Sequence, residues 1–320
     1  MKLQIGIIGY KNHALRLIKL ISQNKYSELK FIYHPDKKVN HVLATNKLQD
    51  LYSCDAVIIS SPSQTHFDYI VNLLANFDGY IFCEKPPVCH LADLKALSKI
   101  PDSDKNRIYF NYNLRFGLVN SVMSDSYYQE KLGKVHNIKI LTGHGLAFKK
   151  DYANSWRADG KHNLHAITET LAIHYIDLLL FKYGQINKYF YSPSIVANTG
   201  TAYDTVHMSL VFDNITASIF ASYACPLIDE ISIIGTEGIL KICEGQLYLY
   251  HPRDIFDDNG FFKEPPLVQK YMINKQREYD NTLEKSLDFF IYHVVEGKAI
   301  EAKYFEASLA SNRFLLEIQD

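Results

Sequence analysis

Residues 1–118 repeat one unit: a short apolar run, a turn of glycine, proline or small polar residues, then a helical pattern. Residues 3–8 are apolar and rich in isoleucine, and close at Gly9. A helical pattern follows, carried by Ala14, Leu15, Leu17, Ile18, Leu20 and Ile21. Further runs come at 31–33, 56–59, 80–82 and 108–110, separated by helical patterns such as 67–74 and 91–97. Continuous apolar runs this short suit strands buried on both faces. A parallel pair of strands needs a long crossover, most often a helix, so the alternation predicts a parallel, doubly wound sheet.

Beyond residue 118 the texture changes. Segments 135–142, 187–197, 205–212, 215–224, 230–235 and 239–250 read as longer strands rich in Val, Ile, Tyr and Thr, turning at Asp213-Asn214 and at Gly235-Thr236-Glu237-Gly238. They predict a large, open, mostly antiparallel sheet, with a helix before it at 163–182 and two after it at 281–296 and 303–318. The expected fold is therefore α/β: a doubly wound domain over 1–118, then an α+β domain over 119–320. A broad sheet with one face bare of helices invites pairing, so a homodimer or homotetramer through that face is expected.

Composition narrows the function classes. The chain has 320 residues, 47% of them hydrophobic, with 34 basic and 35 acidic side chains and a net charge of −1. That balance argues against nucleic-acid or membrane-surface binding by bulk charge. The five cysteines are odd in number and form no CxxC pair, which suits reduced thiols in a cytoplasmic protein. No signal peptide is recognised at the N-terminus, and no apolar stretch reaches membrane-spanning length.

Chemistry concentrates at strand ends. Cys83-Glu84-Lys85-Pro86-Pro87-Val88 follows the fourth apolar run, and Pro86 biases Lys85 away from the helical region, so the lysine is presented in one direction. Open α/β sheets place their ligands at such carboxyl ends. The plainer alternative is a solvated Glu-Lys pair at a rigid turn. The first turn, Gly9-Tyr10-Lys11-Asn12-His13-Ala14, compares with G-x-G-x-x-G/A but has Lys11 at the second glycine position, where its ammonium can pair with a phosphate. About 20 residues on, where an acid would bind ribose hydroxyls, stands His34, followed closely by Lys37 and Lys38. Their charge leans toward NADP over NAD, with solvated lysines as the alternative. Ser60-Ser61-Pro62 and His66 suit a wall beside a ribose and its phosphates, or an N-cap cluster.

A second constellation lies downstream. Thr170, His174 and Asp177 share one face of the expected helix, and a carboxylate one turn from an imidazole fixes its tautomer and raises its basicity. A structural histidine in an apolar helix is the alternative. Trp156, Arg157, Lys161 and His162 precede it; a cationic set of this kind suits an anionic sugar or a nucleotide-sugar. Asn113 and Arg115, past the fifth run, either line a cleft or cap the next helix. His165 and Glu169 have metal-ligand spacing but lack an evident third ligand, so no metal is expected.

Together these residues resemble the glucose-fructose oxidoreductase and inositol dehydrogenase (Gfo/Idh/MocA) family. The anchors are the Gly9 turn, residues 57–63 with His66, Cys83-Glu84-Lys85-Pro86, residues 112–116, Leu132-Gly133-Lys134-Val135, His174 with Asp177, and residues 235–238. The resemblance implies a Rossmann domain and a sheet used in oligomers. It also implies NAD(P)-dependent hydride transfer at a secondary alcohol or ketone of a sugar, polyol or sugar derivative. Carried over by position, Lys85 lies beside the nicotinamide and the reacting hydroxyl, and His174 is its acid/base partner. Many relatives have an acid at the position of Thr170 and a glycine-rich entry to that helix, where this chain has Leu164-His165-Ala166. These departures keep two other readings open: a dehydrogenase-like binding or partner subunit, and a redox-assisted lyase or glycosidase with no net redox change.

Overall fold

The computed structural model describes residues 2–35 and 39–319. The chain divides into two compact units. The first holds Met1–Phe116 and Asn281–Ile318, and the second Gly117–Asp280.

In the first unit the strands are β1 (Leu3–Ile8), β2 (Ser27–Tyr33), β3 (Ala44–Thr45), β4 (Ala56–Ile59), β5 (Tyr80–Glu84) and β6 (Ile108–Asn111). Helices α1 (Asn12–Gln23), α2 (His66–Asn76), α3 (Leu91–Leu97) and α4 (Asp102–Lys105) come between them. All neighbouring strands are parallel, in the order β3-β2-β1-β4-β5-β6. The order places a topological switch point between β1 and β4. All four residues of β4, Ala56 to Ile59, are fully buried, as strands covered on both faces must be.

The second unit begins with α5 (Leu118–Ser124) and α6 (Ser126–Leu132), followed by β7 (Val135–Gly143), α7 (Gly160–Asn163) and α8 (Ile173–Tyr183). Strands β8 (Lys188–Ser194), β9 (Thr205–Val211), β10 (Thr216–Ser222), β11 (Ile228–Gly235), β12 (Ile239–Cys243), β13 (Gln246–Tyr250) and β14 (Leu267–Met272) complete an eight-stranded sheet. Its order is β14-β13-β12-β11-β7-β10-β9-β8, antiparallel except for the parallel pair β7 and β10. Ile138 and Ile140, Met208 and Leu210, Ile231 and Ile233, and Leu247 and Leu249 fill its buried face. On the other face Lys139, Ser232, Lys241, Tyr248 and Lys270 fall in register, with the Lys270 ammonium 5.2 Å from the centre of the Tyr248 ring. The expected strand 239–250 is two strands, because Glu244 and Gly245 take φ of 51° and 71° and turn the chain back on itself. Strand β14 was not expected; its alternating exposed residues at the sheet edge give little apolar signal.

The chain then re-enters the first unit through α9 (Lys275–Glu296) and α10 (Ala302–Glu317). This corrects the expected grouping of 119–320 as one domain. Leu283, Leu287, Phe290, Ile291 and Val294 of α9 join Ile5, Ile7, Ile58, Phe82 and Tyr109 in one buried core, with Phe290 ring to ring on Phe82 at 5.4 Å. Phe305 of α10 packs on Phe110 at 5.7 Å. The two helices supply apolar cover that the doubly wound sheet needs.

Candidate functional site

In the first unit the candidate residues gather at the carboxyl ends of β1, β4 and β5. Gly9 has φ +107°, and a Cβ there would stand 2.5 Å from the Ser60 carbonyl oxygen, so both backbone shape and space require glycine. Lys11 is exposed and is the N-cap of α1, with φ −120° and ψ −178°. That is ordinary extended backbone, so the turn itself has no need of a second glycine. No side chain caps α1, and its first turn carries no acid. The amide end of the helix dipole, with Lys11 beside it, therefore fits a diphosphate. Tyr10 is half-buried, its ring edge-on to His41 at 6.4 Å. His34 is half-buried just past β2, its amide donating to the Thr45 carbonyl at 3.3 Å. Lys37 lies outside the described residues.

Past β4, Ser61 and Thr65 are joined hydroxyl to hydroxyl at 2.7 Å. Ser60 and Ser61 are half-buried and Pro62 is exposed. His66, only 1% exposed, sets Nδ1 2.9 Å from the Pro86 carbonyl and Nε2 3.1 Å from the Ser61 carbonyl. With the proton on Nδ1 it ties the start of α2 to the turn after β5 through the Pro86 carbonyl; with the proton on Nε2 it closes the loop after β4 through the Ser61 carbonyl. Burial pushes its pKa down, and the two carbonyls only partly offset this.

At the end of β5, Glu84 Oε1 receives Asn111 Nδ2 at 2.8 Å and lies 2.7 Å from His13 Nε2. Burial raises the Glu84 pKa, but the His13 charge, the two hydrogen bonds and the Lys85 charge outweigh it and hold the carboxyl below its usual range. Lys85 is half-buried in the next position, joined to Pro86 by a cis peptide bond. Asn113 and Arg115 are placed as braces rather than as cleft-lining groups. Asn113 Nδ2 donates to Thr282 Oγ1 at 2.7 Å, and the nearly buried Arg115 donates to the Tyr304 carbonyl and Ser308 Oγ, each at 3.0 Å.

In the second unit a π-helical turn, Thr168–Ala172, runs directly into α8. The expected single helix over 163–182 is thus α7, a linking stretch, this wide turn and α8. Such turns put an extra residue into a helix and recur at functional sites. Thr170 Oγ1 donates to the Ala166 carbonyl at 2.5 Å and meets the Tyr223 hydroxyl. Tyr223 is 3% exposed; burial pushes its phenol pKa up, against hydrogen bonds with Thr170 and Arg157, so it remains a donor. His144 stacks on the Tyr223 ring at 5.2 Å. The Arg157 guanidinium lies 4.5 Å from the centre of the Trp156 ring, itself half-exposed. His174 is half-buried on α8, and Asp177, one turn on, is 1% exposed. Lys161 and His162 are exposed on α7, where His162 Nδ1 pairs with Asp159 Oδ2 at 2.5 Å. His165 Nδ1 meets the Tyr191 hydroxyl at 2.7 Å, while Glu169 accepts from Asn163 at 2.7 Å.

Residues 3–112 match the model of an oxidoreductase family with an NAD-binding Rossmann fold, and residues 126–241 match the C-terminal domain model of the same family. The chain belongs to the Gfo/Idh/MocA family. An inositol 2-dehydrogenase of Rhizobium meliloti (strain 1021) is 27% identical over 131 residues, which are 41% of this chain and 37% of that relative. The match thus spans well under half the relative's length. Among solved structures, an oxidoreductase from Agrobacterium radiobacter in complex with NAD+, L-tartaric acid and magnesium superposes with a TM-score of 0.79 at 18% identity, covering 99% of this chain and 95% of that one. A myo-inositol dehydrogenase from Corynebacterium glutamicum gives 0.73 at 18% identity, covering 98% and 96%. At these identities the likeness concerns the fold. Within this Gfo/Idh/MocA chain, sequence reasoning missed His13 and Tyr223. His13 occupies a variable place in the glycine fingerprint, and Tyr223 follows β10 with no motif around it, so neither carried a signal.

Proposed function

We propose that the protein is an NAD(P)-dependent oxidoreductase that moves a hydride to or from a secondary alcohol or ketone of a sugar, polyol or sugar derivative. The observation that carries this reading is the meeting of three features in the first unit. The Gly9 turn, the uncapped start of α1 and the Glu84-Lys85 turn all lie at the carboxyl ends of neighbouring strands. A bound nicotinamide coenzyme supplies the hydride acceptor or donor. Gly9, Tyr10, Lys11 and Asn12 would hold its diphosphate, Ser60, Ser61 and Pro62 would wall it with the buried His66 behind them, and Glu84 would take ribose hydroxyls. His34, where an acid would repel a 2′-phosphate, favours acceptance of NADPH.

Lys85 and His174 are the proton-handling groups of this reading. Oxidation of a carbinol requires loss of its hydroxyl proton, which a neutral lysine amine or histidine imidazole can accept and the conjugate ammonium or imidazolium can return. Thr170 cannot serve as a base at neutral pH. Its hydroxyl, with those of Tyr223 and the charge of Arg157, instead forms a polar wall in the second unit suited to a polyhydroxylated, anionic substrate. Asp177, one turn past His174 on α8, would steady the imidazole, and Trp156, Lys161 and His162 would meet the substrate's distal part. Assembly through the open face of the eight-stranded sheet into dimers or tetramers, in the cytoplasm, completes the reading.

Calorimetric titration with NADH and NADPH tests it first; no binding by either refutes it. Lys85→Ala is then expected to abolish turnover with a sugar, polyol or sugar-acid substrate while leaving coenzyme affinity within about threefold. Retained turnover removes Lys85 from the mechanism.

A further inference from the structure

His13 stands in the first turn of α1 with its side chain 38% exposed, and its Nε2 lies 2.7 Å from Oε1 of Glu84, which is 14% exposed at the end of β5. In the sheet β4 lies between β1 and β5. The pair therefore bridges from the helix after β1 to the end of β5, across the carboxyl end of β4 and beside the switch point where such sheets bind ligands. From below, the same carboxylate oxygen receives Asn111 Nδ2; Asn111 Oδ1 in turn receives the Ser286 hydroxyl at 2.6 Å, and Ser286 meets the Tyr109 hydroxyl at 2.7 Å. Asn111, Ser286 and Tyr109 are all at most 2% exposed. Glu84 is thus anchored in the core on one side and by a titratable group on the other. Both bonds fall on Oε1, which leaves Oε2 to accept from a ligand.

The charges acting on the imidazole are few. Glu84 raises its pKa above the ordinary histidine value; burial, Arg16 of its own helix and Lys85 at the β5 end oppose it, and Glu84 prevails. Lys11 adds a further positive charge at the start of the helix.

We propose that His13 is a positioning residue for the coenzyme of the reading above: as an imidazolium it holds Glu84 across the end of β4, with one oxygen left for a ribose hydroxyl, and adds positive charge beside the diphosphate turn. Protonation of this side chain then sets how tightly the coenzyme is held. As pH rises through the His13 pKa the imidazolium is lost, the Glu84 carboxylate keeps only Asn111 and the Lys85 charge beside the diphosphate turn, and affinity falls. Loss of one charge-assisted pairing of this kind predicts a weakening of about fivefold to tenfold.

Calorimetric titration of the full chain with NADPH and NADH between about pH 6 and pH 9 tests this. In wild type, Kd is expected to rise about fivefold over that range. His13→Gln is expected to be weak throughout and flat with pH, while His13→Lys, charged at every pH used, restores the low-pH affinity without the fall. Proton NMR of the histidine ring signals provides a check that needs no variant, because by linkage saturating coenzyme must move the His13 titration to higher pH. A wild-type Kd flat with pH, a slope that survives in His13→Gln, or an unmoved His13 titration overturns the proposal while leaving the oxidoreductase reading intact. Failure of wild type to bind either nucleotide at any pH overturns both.

Discussion

Replacing Asn312 with alanine is expected to destabilise the first unit and loosen the turn that carries Lys85. Asn312 lies on α10, 1% exposed, and brackets the backbone of Val88: its Oδ1 receives the Val88 amide at 2.8 Å, and its Nδ2 donates to the Val88 carbonyl at 3.0 Å. Val88 is itself 1% exposed and follows Pro87 in a segment with no strand neighbour to take these groups. Alanine leaves one buried donor and one buried acceptor without partners. At about 1–3 kcal/mol for each orphaned group, the expected loss is about 3 kcal/mol. For a unit of this size that lowers the calorimetric transition by roughly 10 °C. Asn312→Asp should be no better, since its second oxygen would face the Val88 carbonyl oxygen and no donor would remain. The assay is differential scanning calorimetry of wild type and both variants at neutral pH, joined to NADPH titration of each folded protein. A loss below about 0.5 kcal/mol for the alanine variant would refute the reasoning, since it would mean that water or a backbone shift satisfies Val88 at no cost.

Gly9→Ala is expected to weaken coenzyme binding by tenfold or more and to cost about 2 kcal/mol, because it combines an unfavourable φ with a Cβ 2.5 Å from the Ser60 carbonyl oxygen; unchanged titration and melting curves would contradict this. Tyr223→Phe is expected to cost about 1 kcal/mol in urea denaturation and to raise the substrate KM more than it lowers kcat, since it removes one donor to Thr170 while Thr170 keeps its bond to Ala166. A kcat loss with unchanged KM would instead place the Tyr223 hydroxyl in the proton transfer.

Much of the fold is legible because its signals are local. The strands of the parallel sheet are short apolar runs, and the helices between them carry a stripe such as Ala14, Leu17 and Ile21, so alternation alone implies the architecture. What was not legible is long-range. The pattern of α9 shows an apolar face but not the surface that face will cover, and its core partners Ile5 and Phe82 are far away in sequence. The same holds at the site. Glu84 and Lys85 stand out as a motif at a strand end, but His13 reaches Glu84 from 71 positions away, and its pairing exists only once β1, β4 and β5 lie side by side. The π turn at 168–172 differs from a plain helix by one residue in its hydrogen-bond step, too little for periodicity to detect.

The return of the chain through α9 and α10 sets an order of events during synthesis. Residues 1–116 leave the ribosome with their strands complete but without Leu287, Phe290 and Phe305, which cover the sheet. The whole eight-stranded unit must be made before Phe290 can reach Phe82. During that interval Phe82 and Tyr109 lack the Phe290 ring they pack against, leaving the kind of apolar surface that chaperones bind and that drives aggregation. A fragment cut after residue 118 would remain permanently in that condition. To produce the nucleotide-binding half alone, the natural cut is an excision: residues 117–280 replaced by a short linker, so that the closing helices stay attached to the sheet they finish.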